Sequence, residues 1–263
     1  MIERSLYSEQ STIALLLLDW YDRNGRDLPW RAKGHKPDPY HVLLSELMLQ
    51  QTTVAAVIPY FEKFIDRWPT LEHFAKAKEE DVLDAWAGLG YYSRARNLWR
   101  TAQRLLSEYD GVFPEEEKQL RLLPGIGAYT AAAIAAIAFE KRAVVVDGNV
   151  ERVLSRFHKI ETPFPKGKGE VKAFAALHTP HDRAGDYAQA VMDLGAQICT
   201  PRSPKCLLCP LQKRCQAHLE GLENAYPIKA PKPLKPVRKG VVFWVEDRDR
   251  VLLIRRPSKG LLA

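Results

Sequence analysis

With 263 residues, 46% of them hydrophobic, the chain has the composition of an ordinary soluble globular protein, long enough to bury one large core or two smaller ones. Lys plus Arg outnumber Asp plus Glu by 39 to 32, a formal net charge of +7 that favours a polyanionic partner without requiring one. The four-leucine run near the N-terminus is far too short to span a membrane, no targeting peptide is visible, and all four cysteines lie between 199 and 215, which excludes disulfides spread through a secreted fold; the cytosol, with no membrane partner, is the expected compartment.

Apolar residues recur at spacings of three and four over about 10–23, 40–65, 80–107, 116–122, 128–139 and 149–158, so the chain is predicted to be mostly α-helical. Breakers separate these segments at Pro37 and Pro39, Pro69, Gly88 and Gly90, Gly111 with Pro114, and Pro163 with Pro165. At residues 226–239 the texture changes to YPIKAPKPLKPVRK, a Pro/Lys stretch too stiff and charged for a core, which reads as a linker. Beyond it GVVFWVEDRDRVLLIRR, residues 240–256, places two aliphatic runs around a charged turn, the pattern of a β-hairpin.

Two segments carry chemistry. In LPGIGAYTAAAIAAIAF, 123–139, two glycines turn the chain into a new helix, and free amides around Gly125 and Gly127 suit an anion. Without a Walker lysine, a nucleic-acid phosphate is a better candidate than a nucleoside triphosphate, while a plain glycine-capped turn is the simpler reading. In CTPRSPKCLLCPLQKRC the residues Cys199, Cys206, Cys209 and Cys215 follow C-x6-C-x2-C-x5-C, a set of thiolates able to hold zinc or an iron–sulfur cube.

LPGIGAYTAAAI resembles the helix–hairpin–helix of the base-excision DNA glycosylases, and the cysteine spacing resembles the [4Fe–4S] loop of their endonuclease III-like and MutY-type members. LPWR (28–31), SELMLQQT (45–52), GLGYYSRARNL (88–98), VVVDGNVERVLSR (144–156) and AQAVMDLGAQICT (188–200) are similar to the MutY-type adenine DNA glycosylase family, and the likeness covers about residues 10–228. It implies a two-lobed fold with a [4Fe–4S] cluster: a catalytic domain over 1–225, with a six-helix module at 30–140 and a second lobe from 1–29 plus 141–220.

The resemblance also implies site residues. Glu46 matches the general acid that protonates adenine and handles the water, Asp147 the residue that stabilises the sugar cation, and Asn149 its supporting hydrogen-bonder. Bifunctional members carry a lysine where Tyr129 stands; a phenol forms no Schiff base, so a monofunctional enzyme using water is expected. Trp30, Arg31 and Gln189 match the pocket that holds the flipped adenine, and Leu49, Gln50, Gln51 and Tyr91 match residues that wedge into the DNA stack, with Arg94 and Arg96 adding a cationic surface. Taken alone, Glu46 could be a half-exposed helix residue, Asp147 an N-cap, and Trp30 a core residue.

The expected partner is double-stranded DNA with adenine opposite 8-oxoguanine or guanine, bound by a monomer. Full-length family members continue into a Nudix-like domain that senses 8-oxoguanine. Residues 240–263 resemble only its first strands, so this part is expected to be truncated, loosely packed and aggregation-prone, with weakened discrimination for 8-oxoguanine. Two other readings stay open at this point: a pyrimidine-lesion glycosylase with lyase activity, and a non-catalytic iron–sulfur DNA-binding module.

Overall fold

A computed structural model gives the backbone of residues 2–31, 36–231, 236–237 and 239–253, with side chains described from Ile13 onward. The chain divides into two compact units, one ending at Lys229 and one beginning at Ala230. The first is all helix: α1 (Ile2–Asn24), α2 (Pro39–Leu49), α3 (Val54–Arg67), α4 (Leu71–Ala75), α5 (Glu79–Trp86), α6 (Ser93–Glu108), α7 (Glu117–Leu120), α8 (Ala128–Phe139), α9 (Gly148–Phe157), α10 (Lys168–His178), α11 (Ala184–Gln197) and α12 (Gln216–Leu219). No helix among the described residues is long and apolar enough to cross a membrane.

Local chemistry sets the helix ends. Asp38 caps α2, its carboxylate accepting the Tyr40 amide at 2.8 Å, and Pro39 sits at the helix start, where an amide would have no intrahelical acceptor. The segment expected as one helix over 40–65 is two, because Gln51 takes a positive φ of 58° and Thr53 then caps α3 by accepting the Ala56 amide. The 80–107 segment breaks likewise at Gly88, Gly90 and Tyr91, all at positive φ. Helices α10 and α11 lie outside the predicted segments. The buried face of α11 carries Tyr187, Val191 and Leu194 at helical spacing, but they are interleaved with buried Ala, Gly, Gln and Asp, which dilutes the periodic signal.

Two hydrophobic cores result. One gathers Leu43, Leu44, Leu47 and Met48 of α2 with Phe61 and Phe64 of α3, Trp86 of α5, Leu98 and Leu105 of α6, and the alanine-rich face of α8. The other joins Ile13, Leu17 and Trp20 of α1 to Val153, Leu154 and Phe157 of α9, Val171 of α10, and Tyr187, Val191 and Leu194 of α11. Truncating a fully buried Leu47 or Leu194 to alanine is expected to cost about 2–5 kcal/mol. Helix α11 packs on α8, α9 and α1 and so links the cores. It approaches α8 so closely that a Cβ on Gly185 would stand 2.5 Å from the Ala136 carbonyl oxygen.

In the second unit, β1 (Glu246–Asp247) pairs antiparallel with β2 (Arg250–Val251), in register Glu246 to Val251 and Asp247 to Arg250. The Leu252 amide adds one bond to the Val245 carbonyl, and the apolar run Val241–Val245 is exposed. The hairpin expected over 240–256 thus pairs only near its tip among the described residues. Residues 254–256 of that hairpin, 257–263 of the longer Nudix-like stretch, and 232–235 and 238 of the linker lie outside them.

Candidate active site and iron–sulfur loop

Glu46 sits in the middle of α2, where every backbone amide is committed to the helix, and it is only 7% exposed. Burial pushes its carboxyl up from the ordinary 4.5 to about 7; the Tyr129 hydroxyl, hydrogen-bonded to it, pulls the other way, the Asp147 carboxylate pushes up, and the Arg31 cation pulls down. Residues 31, 46, 129 and 147, far apart in the chain, therefore meet at one place. The Tyr129 phenol is held well above its usual range by burial first and then by the charges of Glu46 and Asp147, so it stays a hydrogen-bond donor; its oxygen also lies 3.8 Å from the Met192 sulfur. A carboxyl that titrates near neutrality can both give and take a proton, and the phenol beside it offers no amine to a sugar carbon.

Asp147 is the N-cap of α9, the bland reading of it from sequence, and this does not remove it from the site. Its Oδ1 accepts the amides of Asn149 and Val150 at 2.9 and 2.7 Å, and its Oδ2 accepts Asn149 Nδ2 at 2.7 Å. Asn149 is fixed in turn, since its Oδ1 accepts from Arg152 Nη2 at 2.8 Å. Arg152 also donates to the Gly195 and Cys199 carbonyls at 2.7 Å each, tying α9 to the end of α11 and to the cysteine loop. Sequence reading did not single out Arg152; a basic residue one turn into a helix has no signal of its own.

Arg31 is clamped by Asp193 of α11, Nη1 to Oδ2 at 2.7 Å and Nη2 to Oδ1 at 2.8 Å, and its guanidinium lies 5.7 Å from the Tyr21 ring centre. Arg31 and Gln189 line a common groove with Tyr21, Arg26 and Asp186, and Gln189 Nε2 donates to the Gly185 carbonyl at 3.3 Å. Trp30 is buried edge-on against Phe61, ring centres 5.4 Å apart, as part of the first core.

The 123–127 turn has the expected form in part. Gly125 needs glycine twice over, with φ at +72° and a Cβ that would meet the Asn97 side chain at 2.5 Å. Gly127 has an ordinary φ of −83° and open space around it; it is the N-cap of α8, and the amides of Ala128 to Thr130 precede the first intrahelical bond, Ala131 N to Gly127 O. Thr101 holds the turn by donating to the Pro124 carbonyl at 2.7 Å.

Gln51 and Tyr91 are exposed and both take positive φ, a strained state for residues with a Cβ, while Leu49 packs partly into the first core and Gln50 Nε2 lies 3.5 Å from Thr130 Oγ1. The arginines beside them correct the sequence reading. Arg94 is 7% exposed and aims inward, its Nη1 bonded to the Leu47 and Met48 carbonyls at 2.9 Å and its Nη2 to those of Leu89 and Gly90, so it clamps the two strained loops together. Arg96 is paired with Glu79 at 3.3 Å. The extended side chain of Arg94 closes a backbone cage, so it is no part of a cationic surface.

The four cysteines line one recess with Ile198, Gln212, His218, Glu223 and Arg156. Burial, reinforced by the Glu223 carboxylate at Cys206 and by the neighbouring sulfurs at both, pushes the thiols of Cys206 and Cys209 up to about 11 and 12, which marks a place where free thiolates are unfavourable and cationic iron would reverse the balance. Arg156, wholly buried, adds a donor 3.3 Å from Cys199 Sγ and bonds the Thr200 and Tyr226 carbonyls, which suits an anionic sulfur cluster. Leu207, Leu208, Lys205, Lys213 and Arg214 are exposed on the loop.

Residues 44–177 match the HhH-GPD superfamily base excision DNA repair protein family, and residues 199–215 match the iron–sulfur binding domain of endonuclease III, so the four cysteines hold an iron–sulfur cluster. The chain is 42% identical to an adenine DNA glycosylase of Buchnera aphidicola from Acyrthosiphon pisum, over 84% of this chain and 63% of that protein, and 40% identical to the one from Schizaphis graminum, over 88% and 69%. It therefore spans only about two thirds of the length of these curated relatives. A solved thermostable thymine-DNA glycosylase superposes with a TM-score of 0.72 at 29% identity, covering 81% of this chain and 98% of that one. With the helical fold, the hairpin and the cysteine loop in agreement, the chain belongs to the HhH-GPD superfamily of base excision DNA repair proteins, in its adenine DNA glycosylase family.

Proposed function

We propose that this chain is a monofunctional adenine DNA glycosylase that hydrolyses the N-glycosidic bond of adenine opposite 8-oxoguanine or guanine in duplex DNA. The observation that carries the reading is the buried Glu46 carboxyl, raised to about 7, with Tyr129 rather than a lysine against it and Asp147 alongside.

Adenine leaves deoxyribose poorly until its N7 is protonated, and the flipped base must first leave the stack at a cost of a few kcal/mol. Glu46 in its neutral form supplies the N7 proton. Bond breaking then turns the sugar into an oxocarbenium ion, and Asp147, oriented by Asn149 and Val150, stands as the fixed negative charge beside it. Glu46, now a carboxylate, takes a proton from the attacking water, and Tyr129 donates to that carboxylate and holds it in place. Arg31, Gln189 and Trp30 form the base pocket. Exposed Tyr91 and Gln51, with Leu49 and Gln50, fill the stack, and the amides after Gly125 and Gly127 grip a backbone phosphate. The [4Fe–4S] cluster on Cys199, Cys206, Cys209 and Cys215 braces the loop that carries Lys205, Lys213 and Arg214 toward DNA.

Single-turnover cleavage of duplexes with adenine opposite 8-oxoguanine, guanine or cytosine, quenched with and without hot alkali, tests this. Breaks only after alkali, for adenine opposite 8-oxoguanine or guanine, are expected. Breaks without alkali would sink the monofunctional assignment in favour of a lyase, and no adenine release from any duplex by cluster-loaded protein would leave a DNA-binding module.

A further inference from the structure

Between α1 and α2 the chain must deliver Arg31 to the site across a segment with few bonds of its own: Gly25 N to Tyr21 O at its start and Arg31 N to Leu28 O at its end. Beside the core packing of Leu28 and Trp30, this segment is gripped by one side chain from the far part of the sequence. Asp193 on α11 has a side chain with no exposed surface, and its two oxygens receive the two-pronged fork of Arg31 at 2.7 and 2.8 Å, Arg26 Nε at 2.7 Å, and the Arg26 amide at 2.8 Å. A carboxylate buried this completely is sustained only by such partners. One turn earlier on the same helix stands Gln189, and the neighbouring Met192 meets the Tyr129 hydroxyl, so α11 sets three contacts of the site from one rigid element.

Resting on the function proposed above, we infer that Asp193 is a positioning residue: its carboxylate holds the Arg31 guanidinium, by two parallel bonds, at the wall of the base pocket. Among the described residues, few groups face Glu46. The loop contributes Arg31, α8 contributes Tyr129, and the start of α9 contributes Asp147, while α6 reaches α2 through Arg94 at the Leu47 and Met48 carbonyls and α3 presents the apolar Val57, Phe61 and Phe64. Among the described residues Arg31 is thus the cation that acts on the acid, and its effect depends on where Asp193 puts it. A lysine could not replace the fork, because a single ammonium cannot span both oxygens.

The test is the pH dependence of single-turnover adenine release, over about pH 5 to 9, by the cluster-loaded protein and its variants. Removing the cation with Arg31→Gln is expected to move the alkaline limb to higher pH, since the positive charge favours the ionised form of Glu46. Asp193→Asn should copy it, with the limb displaced the same way and the neutral-pH rate down by about 10²-fold, and the double variant should be no slower than Arg31→Gln alone. Arg31→Lys should lose most of the rate although the charge is kept, with thermal unfolding followed alongside to separate that loss from a loss of fold.

An Asp193→Asn limb left in place or moved to lower pH, losses that multiply in the double variant, or wild-type kinetics in Arg31→Lys would each overturn the inference and leave Asp193 a tether of the loop. Wild-type protein that releases no adenine from any duplex would instead overturn the functional reading itself.

Discussion

Replacing Glu46 with glutamine is expected to abolish catalysis and, at alkaline pH, to stabilise the protein. The rise of the Glu46 carboxyl from 4.5 to about 7 corresponds to about 3 kcal/mol, at ~1.4 kcal/mol per pH unit. The sign follows from the direction. A folded-state pKa above the unfolded one means that the native state binds the proton more tightly, so this contribution is complete below about pH 4.5 and is lost as pH climbs through about 7. Above that, the wild type holds a desolvated carboxylate that glutamine does not have. Whatever the amide gains or loses in hydrogen bonding is the same at both ends of the range, so the comparison between two pH values isolates the charge. Thermal unfolding at matched heating rates should show Glu46→Gln gaining roughly 6–12 °C on the wild type between about pH 5 and pH 8, for a domain of this size. Single-turnover release should fall by about 10³-fold. A gap between variant and wild type that is the same at both pH values would refute the claim that Glu46 carries a burial-raised pKa, and with it the assignment of the acid.

Tyr129→Phe removes the hydroxyl that pulls the Glu46 carboxyl down, so its pKa should rise further and the alkaline limb of the pH–rate profile should move to higher pH, with a lower maximal rate; an unmoved limb would mean the hydroxyl does not act on Glu46. Gly125→Ala meets both a φ of +72° and the Asn97 side chain and should lose about 1–3 kcal/mol of stability, whereas Gly127→Ala, with open space around it, should unfold like the wild type yet bind duplex DNA several-fold more weakly; unchanged affinity would take the phosphate away from this turn. Arg152→Gln should keep its iron, because Arg152 bonds the Cys199 carbonyl and no cysteine sulfur, and lose about 10- to 100-fold in rate because Asn149 is no longer fixed; a rate that falls only in proportion to iron content would make Arg152 a brace of the cluster loop instead.

Helices with large apolar stripes were legible in the sequence, and so were the hairpin turn and the cysteine spacing, because each writes its physics locally. Helix α8 begins and ends where its alanines do, and Gly125 has the positive φ that a tight turn into a helix requires. The break inside 80–107 was announced by Gly88 and Gly90, but the one inside 40–65 was not legible, because Gln51 adopts a strained backbone in a loop that the inward-pointing Arg94 helps to hold, and arginine ordinarily signals surface. Asp193 was hidden for a similar reason. An aspartate in a helix reads as solvated, and only the return of residues 26–31 from the other end of the chain turns it into the buried centre of two ion pairs. The meeting of Glu46 with Asp147 depends on tertiary packing and has no local signature at all.

The two carboxyls of the site are unlike because of where each stands on its helix. Glu46 lies mid-helix, where the backbone has no donors to spare, and its neighbours Leu43, Leu47 and Met48 are wholly buried, so its surroundings oppose charge and favour a proton. Asp147 lies at a helix start, where unpaired amides and the positive end of the helix dipole are available, and it takes two of those amides and the Asn149 side chain. In the proposed mechanism a proton donor and a charge-stabilising carboxylate thus come from nearly the same functional group placed at different points on two helices. The arrangement also needs two cores, since one element must bury the acid without donors while another brings a helix start up to it. Helix α11, packed on both α8 and α9, keeps those two requirements at a constant separation.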